Sequence, residues 1–165
     1  MDREQRIAFV RSHRTAIFGF NRKNDGPGMS VVYYVMDGND ILISTMEGRG
    51  KAKAVRHNPK VSVCVLDEQW PLTYLQVYGD ATIEATVDTD LEKVVTLLMR
   101  ILGLMSGKAM PELVRGQVRQ MALDERRVQL RMRPYATFES PPRHVFSSED
   151  VADLTHGLGQ HLPWE

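Results

Sequence analysis

The stretch from residue 29 to residue 66 constrains the fold more than any other part of the chain. Val31-Val32-Tyr33-Tyr34-Val35 is an unbroken run of β-formers. Asp37-Gly38-Asn39-Asp40 follows, and then Ile41-Leu42-Ile43-Ser44-Thr45-Met46. An Asp-Gly pair between two such runs is a strong short-range signal for a β-hairpin. Residues 29–36 therefore read as one strand and residues 41–46 as its return. Gly48 and Gly50 break the second strand, residues 51–58 have room for about two helical turns, and Pro59 stops them. Residues 60–66 read as a further strand.

The same reading extends to both sides. Residues 2–11 form a short amphipathic helix with Ile7 and Val10 on one side, and residues 15–20 are strand formers. Asn21 to Gly28 has turn chemistry. Residues 73–85 make a long strand with a bend expected at Gly79. Asp88 or Asp90 caps the main helix, whose apolar positions from Leu91 to Met105 repeat with helical spacing and call for a partner surface. Pro111 begins a second helix reaching about residue 123. Val128, Leu130 and Met132 alternate with Gln129, Arg131 and Arg133, the mark of a strand with one buried face. Pro134 interrupts that strand and residues 135–139 continue the sheet. No alternation of strand and helix occurs, which argues against a doubly wound parallel sheet. The expected architecture is mainly β (α+β): an antiparallel split β-barrel with flanking helices. It occupies residues 1–140, and residues 141–165 form a C-terminal tail that is either mobile or packed on a partner subunit.

Charge balance narrows the function. Lys and Arg total 21 and so do Asp and Glu, so the formal net charge is zero. Nothing global attracts nucleic acid or a membrane surface. No run approaches ~18 apolar residues, so no membrane-spanning helix is expected. Cys64 is the one cysteine. It sits among valines as a small buried hydrophobe would, and a reducing, cytoplasmic setting is the corresponding expectation. The five histidines make no recognised metal spacing. Hydrolase elbows, Walker loops and dinucleotide fingerprints are missing from the sequence.

Against this neutral background the segment from Ser44 to Pro59 stands out. Ser44 and Thr45 bring hydroxyls to a strand end. Gly48 and Gly50 let backbone pass close to a ligand. A helix N-terminus follows with free amides and a positive dipole end. Arg49, Lys51 and Lys53 add full charges, Arg as a two-pronged donor and Lys as a point charge. This is a site for one phosphate, although basic residues on a short surface helix are commonly just solvated, and Glu47 is at hand to neutralise part of the charge.

The Gly-Pro-Gly turn before Met29, the Val-Val-Tyr-Tyr strand, the Asp-Gly hairpin, Arg-x-Lys-x-Lys followed by Asn-Pro-Lys-Val, and Tyr78-Gly79-Asp80-Ala81-Thr82 together resemble the pyridoxamine-phosphate-oxidase-like flavin-binding split-barrel family. The likeness covers about residues 5–140. Within the family the sequence most resembles the actinobacterial deazaflavin-dependent reductases, which use coenzyme F420. The resemblance implies an oxidoreductase that passes hydride to an electron-poor small-molecule acceptor. It implies that Arg49, Lys51 and Lys53 hold the cofactor phosphate, and that Val31, Ser44, Thr45 and Met46 line its ring. It further implies a homodimer with cofactor sites at the interface. Members often carry Asn where this chain has Ala54, and FMN shares the same ring and phosphate logic. FMN use, or cofactor binding without turnover, are the alternatives. Trp70 either caps the core or covers a cofactor pocket. Tyr33 and Tyr34 face opposite sides of their strand, one toward the core and the other free to meet a ligand. Met99, Met105 and Met110 are expected in the core. No side chain is named as a catalytic acid or base.

Overall fold

Asp37 and Gly38 turn the chain where the sequence places the hairpin, and Gly38 takes a left-handed φ of 60° that a side chain would resist. In the computed structural model, described here for residues 1–67, 73–139 and 159–165, this hairpin joins β2 (Gly28–Asp37) to β3 (Asp40–Met46). The other strands are β1 (Thr15–Phe20), β4 (Lys60–Asp67), β5 (Thr73–Thr86), β6 (Arg127–Glu139) and β7 (Gln160–Pro163). The helices are α1 (Arg3–Ser12), α2 (Gly50–His57), α3 (Leu91–Ser106) and α4 (Arg115–Asp124), with a single 3-10 turn at Glu112–Val114.

All the strand pairs are antiparallel, in the order β3-β2-β1-β4-β5-β6-β7, and β3 also pairs with β6. That last pairing, with Met46 opposite Arg127 and Ile41 opposite Met132, closes six strands into a barrel. The split-barrel expectation holds. β7 adds to the edge of β6, with Ala136 opposite Pro163. Gly79 marks the bend in β5: the register shifts between Tyr78 and Gly79, and a Cβ at Gly79 would lie 2.7 Å from the Arg133 carbonyl oxygen. Pro134, opposite Gly79, stays within β6 at this irregularity.

Alternation decides what fills the barrel. Phe18, Val32, Tyr34, Ile41, Ile43 and Val63 are among the buried interior residues. α1 contributes Val10 to this core, and α2 contributes Ala52 and Val55. Tyr34 is the inward member of the tyrosine pair, its hydroxyl donating to the Val10 carbonyl at 2.5 Å. Burial pushes its phenol well above the ordinary range. Trp164 at the chain end is also buried in this core.

The apolar face of α3 finds two partner surfaces. Leu97 and Ile101 pack on Val35 and Leu42, which point outward from β2 and β3. Val94, Val95 and Leu98 pack with α4 and the end of β5. Asp90 is the cap, accepting from the Lys93 amide at 3.0 Å, and Gly107 ends the helix at φ 74°. The stretch after Pro111 starts as the 3-10 turn and becomes α-helical only at Arg115.

Two packing expectations are corrected. Cys64 is half-buried rather than core, because Val61, Val63 and Val65 take the inward positions of β4 and leave Ser62 and Cys64 on the other face. Its partial burial raises the thiol pKa. Met105 is 51% exposed, since the core-facing stripe of α3 ends at Ile101.

Candidate functional site

The outward residues of β2 and β3 are covered by α3 at Val35 and Leu42 but not beyond them. Between the uncovered part of the sheet and the flank of α3 lies a cleft of about 390 Å³, within the usual range for ligand sites. Val31 and Tyr33 from β2 line it, together with Ser44, Thr45 and Met46 from β3. Leu98, Ile101, Leu102 and Met105 of α3 form the apolar wall, and Met121 of α4 joins them. Arg49, Lys51 and Arg127 supply the charge.

Each cation arrives by a different local rule. Arg49 is the N-cap residue of α2, with extended backbone and no side-chain cap bond. Its amide donates to the Met46 carbonyl at 3.1 Å, folding the turn back on β3, and its Nε lies 3.5 Å from the Met46 sulfur. Lys51 sits in the first turn of α2, which contains no acidic residue. Arg127 opens β6, directly across from Met46. It donates to Glu125 at 2.5 Å.

Lys51 makes no ion pair among the described residues. Burial first, and then the neighbouring Arg49 and Arg127, lower its pKa. A depressed lysine beside two guanidiniums means that positive charge here is in excess. Glu47 does not correct that excess. Its carboxylate accepts from Arg56 at 2.8 Å and from Arg126 at 3.0 Å, and the Arg126 hydrogen bond leads the causes that hold its pKa below the ordinary carboxylate value.

A second observation points the same way. The Ser44 hydroxyl oxygen is buried and has no hydrogen-bond partner. Buried polar groups are normally satisfied, so an orphan lining a cleft marks a place where a ligand can complete the bonding. An apolar wall, a floor of strand residues with an unsatisfied hydroxyl, and a rim of three cations suit a flat, partly apolar anion. A flavin or deazaflavin phosphate meets that description.

Six of the residues singled out in the sequence are brought together here: Val31, Ser44, Thr45, Met46, Arg49 and Lys51. Lys53 is not among them. Residues two apart on a helix point to different sides, and Lys53 lines a separate cleft with Phe20, Asn21 and His57. Trp70 lies outside the described residues. Tyr33 proves to be the outward tyrosine. Arg127 and the α3 wall escaped sequence reading. Arg127 appeared only as part of an alternating strand, and the α3 residues only as a helical core stripe. Among the described residues no three His, Cys, Asp or Glu side chains are grouped to hold a metal ion.

A closed antiparallel barrel with a cationic, partly apolar cleft on its outer wall is the split-barrel architecture of the flavin- and cofactor-binding fold. The chain belongs to the pyridoxamine 5'-phosphate oxidase family, which it matches over residues 3–140. Among solved structures it is similar to a conserved hypothetical protein, Rv2991, from Mycobacterium tuberculosis. The TM-score is 0.70 at 21% identity, covering 90% of this chain and 94% of that one. It is similar to an F420 reductase, with a TM-score of 0.58 at 19% identity, covering 79% of this chain and 93% of that one. A FAD-binding protein from Mesorhizobium loti gives 0.62 at 14% identity, covering 83% and 92% of the two chains. Identities this low establish a shared fold. None of the curated proteins matches the chain in sequence. No helix among the described residues is long and apolar enough to cross a membrane.

Proposed function

We propose that the protein is an oxidoreductase that binds the deazaflavin coenzyme F420 in the cleft between β2, β3 and α3 and reduces an electron-poor small molecule. The observation that carries the reading is the pair of cations Arg49 and Lys51, which meet no carboxylate among the described residues, beside the partnerless Ser44 hydroxyl, with Arg127 close by but paired with Glu125. The resemblance of its sequence motifs to the deazaflavin-dependent branch favours the deazaflavin over FMN.

When bound, the cofactor supplies hydride chemistry. The chain's own residues bind and orient. Arg49 and Lys51 hold the phosphate, with the free amides of the first turn of α2 adding donors. The Ser44 hydroxyl, without a partner in the fold, would be free to hydrogen-bond the bound cofactor. Val31 and the α3 side chains exclude water on the apolar sides. Among the described residues no carboxylate or histidine lines the cleft, so the proton that accompanies reduction would come from solvent or from a hydroxyl such as Tyr33.

The site is shared between two copies of the chain in this reading. Met29 and Val31 are 73% and 71% exposed on β2, and Ile17, which pairs with Val31, is 40% exposed on β1. An exposed apolar band of this kind, reaching the cleft at Val31, supports a homodimer.

The test is titration of the purified protein with oxidised F420 and, separately, with FMN, followed by thermal stability. A ligand that binds only the native state adds ~2.7 kcal/mol at a hundredfold excess over its dissociation constant. Preference for F420, lost in the Arg49→Ala/Lys51→Ala double variant, supports the assignment. Equal affinity of the double variant removes it, and preference for FMN moves the protein to the flavin branch. Oxidation of bound reduced cofactor by a panel of quinones and enones then separates an enzyme from a binding protein. Sedimentation should give a dimer that Val31→Lys weakens.

A further inference from the structure

On the far side of α3 lies a second and larger cleft of about 810 Å³, and we propose that it is a binding site for an organic anion with an apolar body, separate from the cofactor cleft. It runs between the end of α1, the outer half of β2 and the second half of α3 with the turn that follows. Five cations line it: Arg11, Arg14, Arg100, Lys108 and Arg115. Among the described residues Glu112 is the one carboxylate in the lining, and it is spent on Arg115, whose Nε lies 3.3 Å away.

The remaining four cations meet no carboxylate among the described residues. Arg11 donates to the Gly38 carbonyl at 2.9 Å, Arg14 to Leu104 at 3.1 Å and Arg100 to Met36 at 2.8 Å. Each bond fixes a guanidinium in place and leaves its full charge standing, with further N–H donors free. Asp37 feels the charge of Arg100, but it is bound by Arg131 at 2.6 Å. The Lys108 ammonium has no hydrogen-bond or ion-pair partner among the described residues. In a chain whose charges sum to zero, four uncompensated cations around one concavity are a local excess that an anion would relieve.

The helix end does not spoil the site. The Gly103 carbonyl accepts from the Lys108 amide at 3.1 Å and from the Ser106 hydroxyl at 3.2 Å, and Leu104 is capped by Arg14. The floor is apolar: Tyr34, Val35, Met36, Met99, Leu104 and Met110. Methionines suit a surface that must fit a ligand of variable shape. Charge at the rim and sulfur and hydrocarbon below select a carboxylate or phosphate carried on an apolar body. A hydrophilic polyanion would leave the floor uncovered, and a neutral hydrophobe would leave the cations unpaired.

Isothermal titration with 2-naphthoate, 2-naphthyl phosphate and the neutral 2-naphthylmethanol tests this. Both anions should bind and the alcohol should bind far more weakly; the ratio of the two anions tells carboxylate from phosphate preference. Lys108→Glu, which removes no hydrogen bond or ion pair made by the Lys108 side chain among the described residues, and Arg100→Ala, each checked for an intact thermal transition, should each weaken anion binding about tenfold. Lys51→Ala, in the cofactor cleft, should leave it unchanged. Failure of both anions to bind, equal binding of the alcohol, or unchanged affinity in Lys108→Glu and Arg100→Ala overturns the proposal. So does loss of binding in Lys51→Ala with retention in Lys108→Glu. None of these results depends on whether F420 binds.

Discussion

Glu47 and Arg126 hold each other at two points: the Glu47 amide donates to the Arg126 carbonyl at 2.9 Å, and the Arg126 Nε donates to the Glu47 carboxylate at 3.0 Å. The two residues are 79 positions apart, and the double contact ties the turn that carries Arg49 to the start of β6 that carries Arg127. It also engages the Glu47 carboxylate, so that this acid does not pair with Arg49 or Lys51. Arg126 adopts a left-handed φ of 46° to make both bonds. Arg126→Gly should therefore melt a few degrees above Arg126→Ala, although both lose the same ion pairs, because glycine accepts that backbone freely. Equal melting temperatures would show that the backbone at 126 relaxes at no cost.

Lys51 carries a charge that the unliganded protein disfavours. Lys51→Met should raise thermal stability while weakening cofactor binding, a trade of stability for function. The pH dependence has a definite sign. A lysine whose folded pKa lies below its unfolded one destabilises the fold while charged, so the wild type gains stability as pH rises through the folded value toward the ordinary 10.5. Lys51→Met should lack this gain. Thermal melts from pH 8 upward check both points.

Ser44 should behave in the opposite way to a structural hydroxyl. Its buried oxygen has no partner, so Ser44→Ala should leave stability unchanged or raise it by up to about 1 kcal/mol. Cofactor affinity should fall about tenfold, the value of one lost hydrogen bond. Denaturant unfolding and a binding titration on the same variant separate the two effects, and a loss of stability without a loss of affinity would remove Ser44 from the site.

Acid should loosen the far end of the β3–β6 seam. Burial pushes the Glu84 carboxyl up, but hydrogen bonds from Arg131 and Gln129 outweigh it and hold the pKa below the ordinary 4.5. Arg131 also holds Asp37 down, at 2.6 Å. Carboxylates with lowered folded pKa stabilise above their unfolded values, and the stability is lost as pH falls through the folded ones. The melting temperature should drop below about pH 4.5. Glu84→Gln should drop less steeply, as measured by melts between pH 6 and pH 2.

Trp164 fills the barrel core from the last turn of the chain, and its amide donates to the Tyr135 carbonyl at 3.1 Å. Trp164→Ala should cost roughly 3–5 kcal/mol. Trp164→Phe should cost much less, because the indole nitrogen has no partner to lose. Chemical unfolding of the two variants distinguishes packing from any polar role.

The barrel was legible because its signals are local. β-formers flank Asp37-Gly38, Val128, Leu130 and Met132 alternate, and Pro59 and Gly107 end helices; each is written within a few residues. The phosphate motif was legible for the same reason, as glycines and cations at a strand-to-helix junction. Local spacing did not separate Lys51 from Lys53, because the side of α2 that faces a cleft depends on what packs against the other side. Ala52 and Val55 are drawn into the barrel core, and that rotation sends Lys51 one way and Lys53 the other.

The amino-acid sequence by itself determined the strand and helix order, the antiparallel class and a cation-rich turn, since short-range sterics, periodicity and capping act over a few residues. Tertiary structure alone decided that Tyr34 turns inward and Tyr33 outward, that Arg127 joins Arg49 and Lys51, and that Trp164 ends in the core. Those outcomes follow from closing β3 onto β6, which sets Met46 opposite Arg127 across some eighty residues of chain. A contact at that separation is set by the register of the closed barrel, and no local pattern encodes it.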